Sequence, residues 1–336
     1  MPARNINSQP STHPNTAHPA PGVRLTIDEL LALRRDALAL DLSSNYRVSS
    51  TLAGGYRSKF RGRGMDFDEV RLYQAGDDIR NIDWRVTART GKPHTKLFRE
   101  ERERPVFFLL DQSKQLFFGS RNAFKSVIAA RAATLLIWAS ITAGSRIGAV
   151  LFDDSGHLEH RPSGRRRDAL SLLKKIAFRH NSVLNEIETP HLAVSDNYPE
   201  NQPSAFAQSL VRLRRLAKPG SLIYLFSDFR SIDEDAKRHI SRLSQHNEIV
   251  CYLLTDGMDT QLPPPGNYSL TDGLTINRIN TSAASMRTQY HNGEVQRIDD
   301  LSVYLKQQRI QLQALDSTDN LGIVLAAANS PRIVVR

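Results

Sequence analysis

The sequence predicts an α/β fold: a doubly wound, mostly parallel sheet preceded by a charged N-terminal module. Three observations carry this expectation. From Val106 onward, apolar runs of strand length alternate with segments of helical period. The segments between the runs are long enough to carry the crossover helices that parallel neighbours need. The runs VFFLL and SLIYLF also stop at Asp111 and at Ser227-Asp228, polar groups at strand carboxyl ends, where the crevice of a doubly wound sheet opens.

Taken in chain order, residues 1–24 are rich in Pro, Asn, Ser and Thr and hold no apolar run of signal-peptide length, which reads as a disordered tail. Leu25 to Leu42 spaces Ile27, Leu30, Leu31, Leu33, Leu38 and Leu40 among charges, with Thr26 as N-cap, and predicts an amphipathic helix. It opens a charged segment spanning residues 25–105. Residues 106–332 then read as one sheet domain. VFFLL is a buried strand, Asn122 to Ala143 an apolar helix, RIGAVLFDD a second strand and HLEHRP a short hairpin partner. Helices follow over Arg165 to Phe178 and Ser204 to Leu216. The strand SLIYLF, a helix from Asp233 to Gln245 and the strand EIVCYLL come next. Beyond the loop QLPPPGNYSLTDG lie a strand INRINTS, a helix over Val295 to Arg309, a last strand RIQLQALDS and a helix over Asn320 to Ala328.

Within the charged segment, Gly54, Gly55, Gly62 and Gly64 suit tight turns. Phe60, Met65, Phe67, Val70 and Tyr73 offer apolar contact. No apolar strand precedes these glycines, so they are not a dinucleotide loop. In GDDIRNIDWRVTART, Asp77 or Asp78 can cap a short helix, with Arg80, Asp83, Arg85 and Arg89 around Ile82 and Trp84. Interspersed signs suit an internal ion-pair network beside a buried tryptophan better than a phosphate track. Arg57, Lys59, Arg61 and Arg63 alternate with no acid among them. They are either a solvated face or a ridge for an acidic partner.

This charged block, with Gly62-Arg63-Gly64-Met65-Asp66-Phe67 and the junction into VFFLLDQS, resembles the bacterial domain of unknown function 58 family. The resemblance implies a von Willebrand A-like sheet domain. It also implies a non-catalytic adaptor or chaperone-like partner of MoxR-type AAA+ ATPases, working in the cytoplasm. A metal-ion adhesion site (MIDAS) of that fold uses Asp-x-Ser-x-Ser, a Thr and a later Asp around Mg2+, whose octahedral oxygen shell keeps waters. The matching positions are Asp111 and Ser113, Ser204 where threonine would stand, and Asp228; Gln115 replaces the second serine. The alternative is that Ser204 caps a helix and the two aspartates solvate strand ends.

The remaining signals narrow the field. The formal charge of +10 attracts acidic partners, nucleic acid or anionic membrane without choosing among them. The single cysteine, Cys251, sits in IVCYLL and reads as core. The apolar stretch from Arg131 to Gly144 is shorter than the roughly 20 residues of a membrane span. No Walker loop, His-Glu-x-x-His, Gly-x-Ser-x-Gly or Cys-x-x-Cys is present. His157 and His160 fall on opposite faces of a strand and read as exposed hairpin residues. Two rivals stand beside the interaction module. One is a nucleic-acid binder using Arg161, Arg165, Arg166 and Arg167, and the other is a metal-dependent hydrolase at the strand ends.

Overall fold

The structure, a computed structural model, describes residues 22–40, 65–74, 77–100, 104–189, 203–271 and 276–329. Arg57, Lys59, Arg61 and Arg63, and the segment before Gly22, lie outside the described residues.

The core is a six-stranded sheet among the described residues. Its strands are β3 (Val106–Asp111), β4 (Ile147–Asp153), β5 (Gly156–Ser163), β6 (Leu222–Ser227), β7 (Glu248–Thr255) and β10 (Gln311–Asp316), numbered after the hairpin β1 (Met65–Leu72) and β2 (His94–Glu100). A second hairpin, β8 (Asn267–Thr271) with β9 (Ile276–Asn280), stands apart. The sheet order is β10-β7-β6-β3-β4-β5, parallel throughout except for β5, which returns antiparallel on β4. The chain enters at β3, moves out through β4 and β5, then comes back to β6 on the other side of β3. The winding therefore reverses between β3 and β6, which places Asp111 beside Ser227 and Asp228 at the switch point.

Period-two alternation divides every central strand between two cores. Val106, Phe108 and Leu110 of β3 join Tyr224, Phe226, Tyr252 and Leu254 on one face. Phe107 and Leu109 join Ile223, Leu225, Cys251 and Leu253 on the other. The first face carries α4 (Lys125–Thr142) and α5 (Arg166–Glu188), and is completed by α10 (Leu321–Ala328) and the N-terminal helices α1 (Ile27–Ala32) and α2 (Arg34–Ala37). The second carries α6 (Ala205–Leu216), α7 (Glu234–Ser244) and the C-terminal part of α9 (Ala284–Gln307). Two short helices complete the set, α3 (Trp84–Thr90) and α8 (Gly257–Thr260).

Several expectations need correction. The helix over Leu25–Leu42 is two short pieces broken at Leu33. Trp138 Nε1 donates to Leu30 O across this joint at 3.2 Å, and Arg131 pairs with Glu29. Helix α5 runs ten residues past Phe178, because its last three turns receive the N-terminal strap: His180 Nε2 donates to Val23 O, Asn181 Nδ2 donates to Leu25 O, and Arg24 pairs with Glu188. The strand INRINTS belongs to the separate hairpin and not to the central sheet. Helix α4 is longer than the stretch Arg131–Gly144 and, at 18 residues, is apolar enough by composition to cross a membrane, yet 83% of it is buried inside the protein. His160 is buried on β5 rather than exposed, and burial together with Lys175 holds its pKa below the usual histidine value.

The hairpin module differs most. Asp78 caps the 3-10 turn Ile79–Asn81, and Asp83 caps α3 by accepting from Arg85 N and Val86 N. Among the described residues, the side-chain ion pairs run from Asp77 to Arg71 and from Asp83 to Lys96, not to Arg80, Arg85 or Arg89. Trp84, expected inside, is 67% exposed. It is the first residue of α3, two residues beyond Ile82, whose backbone bridges to Thr95 of β2.

Candidate functional site

At the switch point the three strand-end polar residues reach one another. Asp111 closes β3 with its side chain fully buried. Its Oδ1 accepts from Ser113 N at 2.9 Å and Ser113 Oγ at 2.6 Å, and its Oδ2 accepts from Ser227 Oγ at 2.6 Å. Burial pushes its pKa up to about 6 against these hydrogen bonds, and the charge of Asp228 adds to the rise.

Beyond β6 the chain turns sharply. Phe229 adopts φ +55°, a left-handed conformation rare for a bulky residue, and its ring is buried edge-on against Phe206. Ser227 Oγ accepts from Phe229 N and Asp228 Oδ1 accepts from Arg230 N, which hold the turn. The turn sends Asp228 inward and Arg230 back over it.

A network of ion pairs fills the space between these loops. Lys125, the first residue of α4, is 4% exposed and places Nζ 3.3 Å from Asp228 Oδ2 and 3.3 Å from both carboxylate oxygens of Asp259. Arg230 pairs with Asp259 at 3.3 Å and holds Glu294 through both terminal nitrogens, at 2.6 and 3.0 Å. Arg297 pairs with Glu294 at 3.1 Å and donates to Asp228 O. Burial works against the Arg230 charge, but Glu294, Asp259 and Asp228 together raise its pKa; burial likewise opposes the Glu294 charge, which Arg230 and Arg297 overcome. Asp259 is itself fixed in a capping box with Asp256, whose carboxylate accepts from Ser120 N and Oγ.

The residues singled out in the sequence are thus brought together only in part. Asp111, Ser113, Gln115 and Asp228 share the site, Gln115 Nε2 donating to Asp228 Oδ1 at 3.2 Å. Ser204 serves a different end: its Oγ caps α6 by accepting from Ala207 N, and its backbone N–H donates to Asp233, the cap of α7. This donor set does not fit an octahedral Mg2+. The Asp228 and Asp259 oxygens are engaged by Lys125, Arg230, Gln115 and backbone N–H groups, and the Asp111 oxygens by two hydroxyls. Among the described residues no group of three or more His, Cys, Asp or Glu is arranged to hold a metal ion.

The model of the protein family of unknown function DUF58 matches residues 69–298, from the first hairpin through the strand-end network to α9. The chain belongs to the DUF58 family. Similar relatives are the uncharacterized protein Mb1516 of Mycobacterium bovis and the uncharacterized protein Rv1480 of Mycobacterium tuberculosis. Each is 26% identical over 264 residues, covering 78% of this chain and 77% of the relative. Among solved structures, the chain is similar to the conserved hypothetical protein BatB from Bacteroides thetaiotaomicron, at 13% identity and a TM-score of 0.40, covering 67% of this chain and 96% of that one. It is also similar to an aerotolerance-related membrane protein from Bacteroides fragilis, at 14% identity and a TM-score of 0.37 over the same shares.

Sequence reading missed five members of this site: Lys125, Arg230, Asp259, Glu294 and Arg297. One local signal did exist. A lysine opening an otherwise apolar helix stands where the helix dipole disfavours a cation, so it needs a carboxylate partner from elsewhere.

Proposed function

We propose that this chain is a non-catalytic protein-interaction module of von Willebrand A type. It would act as an adaptor for a MoxR-type AAA+ ATPase in the cytoplasm, with its charged hairpin module as the contact. The exposure of Trp84 carries this reading. Ile79, at 65% exposed, and Leu72, at 53%, accompany it on the same small module. Large apolar side chains held in water cost solvation unless something covers them, and exposed tryptophans are the residues most often found at the energetic centre of interfaces. The surrounding Asp78, Arg80, Arg85 and Arg89 supply the polar rim that such interfaces carry. The strand-end network supports the non-catalytic side of the reading, since its carboxylates are engaged by internal donors and none is poised as a free base.

The experiment is co-purification of the full chain with the MoxR-type ATPase of the same genome. The expected result is a stoichiometric complex that the Trp84→Ala chain fails to form. Absence of any complex with well-folded wild-type chain removes the reading.

One observation favours a second reading. A cleft of about 480 Å³ opens where Gly144, Arg146, Ser163, Gly164, Arg165 and Asp168 meet, at the start of α5, with Arg161, Arg166 and Arg167 exposed beside it. An anionic polymer would suit these arginines. Binding there would fall steeply with salt and would survive Trp84→Ala.

A further inference from the structure

Lys125 is in an unusual position for a lysine. It is almost fully buried, it begins a helix whose N-terminal dipole repels positive charge, and no other side chain on its own helix compensates it. What holds it is three carboxylate oxygens at 3.3 Å, two from Asp259 and one from Asp228. Within the ion-paired set three cations, Lys125, Arg230 and Arg297, stand against three carboxylates, Asp228, Asp259 and Glu294, while Asp256 adjoins Asp259 and is held by Ser120 and backbone N–H groups. Asp111 lies beside this set and is satisfied separately, by the hydroxyls of Ser113 and Ser227.

We propose that the Lys125 ammonium is the built-in cation of the strand-end site, tying Asp228 to Asp259 in the role a bound divalent ion would have, so that the site is metal-independent. The two aspartates come from different loops, those after β6 and β7, and something positive has to hold them together. Lysine supplies one charge and three donors on a stem anchored in α4. An added divalent ion would have to sit beside the buried ammonium and displace it from the carboxylate oxygens it already holds.

The test uses Mn2+ as a spin-visible substitute for Mg2+, with the full chain and no partner. Wild-type protein is expected to leave the free Mn2+ resonance undiminished and to keep its Tm in Mg2+ or EDTA. Lys125→Ala is expected to lose on the order of 10 °C in Tm, the scale for stranding buried charges in a domain of this size. Added Mn2+ or ethylammonium is expected to recover part of that loss. Uptake of one Mn2+ by wild-type protein, abolished in Asp228→Ala, overturns the proposal. So does a Lys125→Ala chain that keeps the wild-type Tm, or one whose loss neither cation reverses. If Lys125→Ala does not fold, the wild-type Mn2+ titration decides alone. None of these readouts depends on the ATPase complex, so failure here and failure of the adaptor reading are separate results.

Discussion

Asp111 on β3 and Ser227 on β6 meet across the switch point, the serine hydroxyl donating to the aspartate Oδ2 at 2.6 Å inside the protein. The hydroxyl stabilises the carboxylate, yet burial dominates and leaves the Asp111 pKa at about 6. A carboxyl that binds its proton more tightly in the folded chain than the unfolded one makes stability fall as pH rises, here between the unfolded value near 3.8 and about 6. Two units correspond to roughly 3 kcal/mol. Asp111→Asn removes the titration while keeping an acceptor for Ser113 N. Its urea midpoint is expected to gain on wild type more at pH 7.5 than at pH 4; an equal difference at both pH values refutes the assignment.

His180 titrates in the opposite sense. Its ring is buried against Phe117 and donates from Nε2 to Val23 O at 2.9 Å, while Nδ1 has no partner among the described residues. Burial lowers its pKa to about 4, and the nearby Arg24 charge contributes. The neutral ring is the native form, so its stabilisation is complete above the unfolded value of 6.5 and is lost as pH falls toward 4. The loss amounts to roughly 3 kcal/mol. His180→Phe keeps the stack but cannot titrate. Between pH 7 and pH 4.5 its urea midpoint is expected to fall less than that of wild type.

Gly148 lies on β4 directly beside Phe107 of β3. A Cβ built there would come within 2.6 Å of the Phe107 ring, whose own surroundings are closely packed. Gly148→Ala is therefore expected to destabilise by about 1–3 kcal/mol, the usual cost of overpacking a core. Pairing it with Phe107→Leu should recover part of this, and denaturant unfolding of the two variants measures it.

Trp84→Ala separates binding from folding. A side chain this exposed contributes little to stability, so the variant is expected to stay within about 0.5 kcal/mol of wild type. Its effect on ATPase association is expected to exceed roughly tenfold, the consequence of losing about 1.4 kcal/mol or more at an aromatic anchor. Calorimetry of unfolding and of binding on the same preparation gives both numbers.

The central strands were legible because each is an apolar run of strand length, buried on both faces by helices whose period is equally plain. Asp111 and Asp228 were legible as polar residues stopping such runs. Other features had no local trace. The polar turns of α5 around His180 and Asn181 are helical because a distant strap docks on them, and the reading stopped at Phe178 where the apolar period weakens. Ser204 stays ambiguous in the sequence because a helix cap and a metal ligand require the same small hydroxyl, and in the structure it makes the cap. Lys125 lies 103 residues from Asp228 and 134 from Asp259, so their meeting follows from strand order rather than from any motif. Composition favours Trp84 inside, but a seven-residue helix is too short for its period to say which side faces water.

Helix α4 ties the N-terminal strap to the fate of the chain during synthesis. Apart from Lys125 and Arg131 it is largely apolar around its circumference, and one side is covered by Leu25, Leu30, Ala37 and Leu40. These four residues leave the ribosome long before the helix they shield, and they must wait for it. A chain lacking residues 22–40 would expose that side of an 18-residue apolar helix to water. The strap is therefore the cover that keeps this side of the helix out of water.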